Sequence, residues 1–87
     1  MPTAPRTESA LLTVVRTSIA SVAPEADVTS LGLDDDIVET LDLDSMDVLN
    51  VMAGVADRTG IEVPERHYPR TRTLRGFVAE LLELGSS

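Results

Sequence analysis

The chain contains no cysteine. That excludes disulfides, a thiolate metal site and a cysteine nucleophile. It has one histidine, His67, so a multi-histidine metal site is excluded and only one imidazole is available. The aromatics are Tyr68 and Phe77 alone. The core must therefore be built from Leu, Val, Ile, Met and Ala, and such a palette with few strand-like alternations favours helices. No run of eighteen apolar residues occurs, and the opening Met-Pro-Thr-Ala-Pro lacks the basic-then-apolar order of a signal peptide. A soluble, cytoplasmic protein without membrane insertion is expected.

Basic charge is missing from a long stretch. Glu25 to Asp47 holds nine acids (Glu25, Asp27, Asp34, Asp35, Asp36, Glu39, Asp42, Asp44 and Asp47) and no base. The sign reverses over Arg66, Arg70, Arg72 and Arg75, within a net charge of −8. A surface of this kind repels nucleic acid and anionic membranes and is steered toward basic protein surfaces. A solvated loop that keeps the protein dispersed is the plainer reading of the same run, and the two are compatible. With 87 residues there is room for one core. A chain of that length buries only roughly 60–65% of its unfolded surface, which leaves little room for a deep enzyme pocket.

Residues 1–6, with two prolines, read as a disordered tail, and residues 7–87 as a single domain. A helix is predicted from a Thr7 cap, with Leu11, Leu12, Val15, Ile19 and Val22 on one face and Pro24 beyond its end. Residues 24–43 form a long first connection. Twenty structureless residues are unusual in a compact domain, so internal order is expected there. Leu31, Leu33, Ile37, Leu41 and Leu43 would fix it to the core, with Asp34 or Asp36 capping a short turn over 37–41. A second helix runs from about Ser45 to Thr59, capped by Asp44 or Ser45 and stopped by Gly60. Ile61 to Pro64 is extended, a short helix covers about Glu65 to Tyr68 before Pro69, and Thr73 caps a final helix through Leu74, Phe77, Val78, Leu81 and Leu82 to Gly85. The sum is an all-α bundle of three main helices plus one short helix, with a long first loop.

Ser45 stands out because nothing else in the chain can do covalent chemistry. No base accompanies it, which argues against a nucleophile, but a helix start does. Backbone N–H groups there lack partners and carry partial positive charge, so a phosphate ester on the hydroxyl would be stabilised. Asp44 and Asp47 lie close by and would repel it somewhat. Serine before a helix is often only a cap, and Asp-Ser-x-Asp alone is a weak signal.

The context is more specific. Leu41, then Asp44-Ser45-Met46-Asp47, an apolar helix, Gly60-Ile61-Glu62-Val63-Pro64-Glu65 and the Thr73-begun last helix together resemble the acyl carrier protein family, over essentially the whole chain after the tail. The resemblance implies an acyl-carrier-like four-helix bundle and 4′-phosphopantetheine, drawn from coenzyme A by a phosphopantetheinyl transferase with Mg²⁺, on Ser45. It implies a carrier and not an enzyme, with an acyl group held as a thioester and presented to acyl-activating, condensing or acyl-transferring enzymes of a fatty-acid, polyketide or specialised pathway. The missing cysteine agrees, since the thiol would come with the cofactor. Asp44, Met46, Asp47, Val48, Val51 and Val55 would form the docking face toward basic patches of partners, and the carrier would be a monomer. Asp42 replaces a common glycine, Met46 a common leucine, Asn50 a common glutamate and Thr59 a common aromatic, which suggests a specialised carrier. The Asp before Ser45 leans toward an acyl carrier over an aminoacyl or peptidyl one. A non-covalent helical adaptor, with Ser45 only as a cap, is the rival from another class.

Gly54 sits mid-helix, at a cost of about 0.5–1 kcal/mol against alanine. Close packing against the first helix is one explanation; room for an acyl chain or a partner is the other, and under it Gly54→Leu would keep the fold and impair transfer. Asp42-x-Asp44-x-Met46-Asp47 is similar to the start of a calcium loop, but Met46 and Asp47 fall where a ligand and a glycine are needed, so no metal site is expected. His67 reads as a surface or helix-end residue, and the four late arginines as a solvated face.

Overall fold

The computed structural model describes residues 7–85; the tail expected over 1–6 lies outside them. The described residues form four α-helices: α1 (Glu8–Val22), α2 (Ile37–Leu41), α3 (Ser45–Thr59) and α4 (Leu74–Gly85). Two 3₁₀ segments, Val28–Ser30 and Glu65–Thr71, complete an all-helical fold with no strand among the described residues.

Helix ends follow local chemistry. The Thr7 hydroxyl accepts the Ala10 N–H at 3.1 Å, and the Thr73 hydroxyl accepts the Gly76 N–H at 3.0 Å. Gly60 ends α3 at φ 74°, in the left-handed region where glycine has no Cβ penalty. Asp42 ends α2 in the same region, with φ 54° and ψ 48°, and the next N–H, from Leu43, returns to the Val38 carbonyl at 3.0 Å.

Leu11, Val15 and Ile19 of α1 are fully buried against Val51 and Val55 of α3 and Leu74, Phe77, Val78 and Leu81 of α4. α3 and α4 both pack along α1, and the segment 65–71 packs on α4. The first loop is ordered, as its length required. Leu31, Ile37 and Leu43 insert into the core, whereas Leu33 stays exposed and does not act as an anchor. Arg16 of α1 holds the loop from beneath, donating to the Val28 carbonyl and, at 3.2 Å, to the Leu31 carbonyl.

Two expectations are corrected here. Pro69 does not stop the short helix; the segment runs through it to Thr71. In a 3₁₀ turn the proline removes only its own donor, and the Thr71 hydroxyl satisfies the Tyr68 carbonyl at 2.7 Å. The late arginines are also more than a solvated face. Arg72 pairs with Asp36 at 2.9 Å, Arg75 with Asp34 at 2.8 Å and Arg70 with Glu80 at 3.6 Å. Glu80 is buried, and its other oxygen lies 2.5 Å from His67 Nδ1. A buried carboxylate needs such partners, so His67 fastens the segment 65–71 to α4.

Candidate functional site at the start of the third helix

Asp44, not Ser45, is the cap of α3. Its carboxylate accepts the Asp47 N–H at 2.8 Å, and the Asp47 carboxylate accepts the Asp44 N–H at 3.1 Å. This reciprocal pair is a capping box. It occupies both acids flanking Ser45 in local bonds and relieves the hydroxyl of any capping duty. Ser45 is the first residue of the helix and is exposed. At this position the N–H groups of Ser45 and Met46 have no acceptor within the helix.

Beside Ser45 lies a cleft of about 390 Å³. Val48, Val51 and Met52 of α3 form one wall and Ile37 and Val38 of α2 another. Tyr68, Pro69, Thr71 and Arg72 close a third side, with Phe77 of α4 and Leu43 also lining it. The cleft is mostly apolar, with Asp44, Ser45 and Arg72 among its few polar residues. An exposed hydroxyl at a helix start suits a phosphate ester, and the adjoining cleft suits an apolar chain. A second, more open groove of about 560 Å³ follows α3 past Leu49, Ala53 and Asp57 to Glu62 and Val63.

The structure brings Asp44, Met46 and Asp47 together around Ser45, with Met46 63% exposed and Val48 half-buried. Val51 and Val55 are corrected: at 4% and 1% exposure they belong to the core and present no surface to a partner. Leu49, 46% exposed, stands at the surface instead, one turn along α3 from Met46. Helical phase carried that signal, because Leu49 is offset from the stripe of Val51, Met52 and Val55 that faces the core. The acidic loop is also less free than its composition suggested. Asp34 and Asp36 are held below the ordinary carboxylate pKa, Asp34 by Arg75 and Asp36 first by the Glu39 N–H and then by Arg72. Among the described residues no group of three or more acids or imidazoles is placed to hold a metal ion. Gly54 faces α1, with a Cβ there meeting Arg58 Nη1 at 2.9 Å and Ser18 at 3.5 Å. Gly54 thus faces α1 and does not line the cleft beside Ser45, which favours close packing over room for cargo, although the contact admits a methyl once the end of Arg58 shifts.

Comparison with known proteins agrees with this geometry. Residues 13–81 match the family described as phosphopantetheine attachment site. An acyl carrier protein of Streptomyces coelicolor is 33% identical over 76 residues, spanning 87% of this chain and 83% of that protein. No solved structure matches significantly. The chain thus belongs to the acyl carrier protein family, whose members are carriers rather than catalysts, and its cofactor is a covalently attached 4′-phosphopantetheine.

Proposed function

We propose that Ser45 is the attachment point and that the protein delivers an acyl group to the enzymes of a fatty-acid, polyketide or specialised acyl pathway. The observation that carries this reading is the exposed Ser45 at the first turn of α3, on the lining of an apolar cleft. The arm supplies a terminal thiol on which the acyl group is held as a thioester. The chain's own residues do the rest. The capping box keeps Asp44 and Asp47 folded back on the backbone, so the hydroxyl faces outward for the transferase. The N–H groups of the first turn favour the phosphate. Ile37, Val38, Val48 and Met52 offer the acyl chain apolar contact away from water.

Docking falls to Asp44, Met46, Asp47, Val48 and Leu49, an acidic and apolar patch suited to partners with a basic rim around an apolar contact. Residues 7–87 act as one carrier domain, monomeric and cytoplasmic. An acyl cargo is favoured over an aminoacyl one by the apolar cleft and by the Streptomyces coelicolor relative.

Incubation of the apo protein with coenzyme A, Mg²⁺ and a broad-specificity phosphopantetheinyl transferase should add the mass of one arm, and Ser45→Ala should abolish the addition. An unmodified wild-type chain would return Ser45 to the role of a surface residue and favour the adaptor reading. The acyl group found on protein purified from its source separates acyl from aminoacyl cargo.

A further inference from the structure

The walls of the cleft beside Ser45 are unequally held. α3 and α4 lean on α1, and the segment 65–71 leans on α4, but α2 has no comparable packing against another helix. It is five residues long and buries only Ile37. Its ties to the opposite wall are polar. The Ile37 N–H donates to the Arg72 carbonyl at 2.7 Å. Arg72 donates from Nε and Nη2 to Asp36 Oδ1 at 3.3 and 3.1 Å, with Nη2 2.9 Å from Oδ2. Asp36 in turn caps α2 through the Glu39 N–H at 2.9 Å. Arg72 lines the same cleft as Ile37, Val38 and Ser45.

Moving α3 or α4 would strip a long apolar face from α1, whereas moving α2 draws only Ile37 and the partly buried Val38 and Leu41 from the core. It also breaks one backbone bond and the partly exposed Arg72 pairs with Asp36 and, at 4.0 Å, with Glu39. We propose that the Arg72–Asp36 pair is a latch on the cleft. Closed, it holds α2 against the segment before α4 and shelters an acyl chain carried through Ser45; open, it lets the chain out. Arg72 and Asp36 are thus positioning residues that set how well long cargo is protected. This inference rests on Ser45 as the attachment point.

The holo protein is loaded separately with acetyl and octanoyl groups, and thioester cleavage by hydroxylamine is followed by mass. Acetyl offers the cleft little apolar surface to hold and reports the unprotected rate. Arg72→Gln should speed octanoyl cleavage about two- to fivefold, the change that loss of an exposed ion pair permits, and leave acetyl cleavage unchanged. Asp36→Asn should do the same, because asparagine caps α2 as well as aspartate does. Arg72→Lys should restore part of the protection. Arg75→Gln breaks a pair on the same loop away from this cleft and should change neither rate. About 1 M salt, where the screening length falls to about 3 Å, should move the wild-type octanoyl rate toward that of Arg72→Gln. Equal octanoyl rates in wild type, Arg72→Gln and Asp36→Asn would overturn the latch, as would equal acceleration of both cargoes. Those results require normal loading; a protein that takes up no arm defeats the attachment reading instead, and the latch with it.

Discussion

Asp42 pays a conformational cost that its neighbours do not. Its backbone is left-handed, at φ 54°, where a side chain crowds the following carbonyl. Glycine would meet no such crowding, and the backbone shows why the left-handed residue is needed: α2 must end and reverse here before Asp44 can cap α3. Asp42→Gly should therefore raise stability by about 0.5–1 kcal/mol, read as a higher urea midpoint with an unchanged slope. An unchanged or lower midpoint would mean that the Asp42 side chain contributes something the backbone does not reveal. Ser45 is the opposite case. It has no strained geometry and no capping duty, so removal of its hydroxyl should cost loading and leave the fold intact.

At the scale of elements, α1 and α3 approach closely enough that Gly54 decides what fits between them. Arg58 lies across the same contact, its guanidinium 3.4 Å from the Ser18 hydroxyl and 3.3 Å from that of Ser21. A methyl at Gly54 meets only the flexible end of Arg58 at 2.9 Å and ordinary contact with Ser18. Gly54→Ala should therefore be neutral or stabilising by up to about 1 kcal/mol through helix propensity. Gly54→Leu should push the helices apart and destabilise by about 1–3 kcal/mol. Thermal melts of the two variants check both signs, and a Gly54→Leu protein as stable as wild type would reopen the cargo explanation. The boundaries of α1, α3 and α4 were legible because caps and apolar periodicity act within a few residues. Continuation of the short segment through Pro69 was not, since it depends on a Thr71 side-chain bond and on packing against α4.

Over the whole molecule, charge is arranged as cross-links. The acidic loop and the arginine-rich segment face each other through Asp34–Arg75 and Asp36–Arg72. Both carboxyls have folded-state pKa values below the ordinary 3.8. Their contribution is therefore present above that value and is lost as pH falls through the lower folded values. Protonation also relieves the self-repulsion of a chain with net charge −8, which acts the other way. The informative measurement is a difference. The doubly substituted Asp34→Asn, Asp36→Asn protein should melt below wild type at neutral pH, and the gap should close as pH falls below about 4. A gap independent of pH would mean that the ion pairs contribute little and that the substitutions act through packing.

The sequence by itself determined the helical class, the main helix ends and the family, and it singled out Ser45 as the proposed attachment point, because these depend on local spacing and on residue type. Tertiary structure alone decided which apolar residues of α3 face outward, and it moved Val51 and Val55 from the docking face to the core. It alone showed that Asp34 and Asp36 are matched by arginines 41 and 36 residues away in the chain, and that one of those arginines borders the cleft beside Ser45. Contacts of that range follow from how helices pack around α1, and packing is a property of the assembled chain that no local pattern carries.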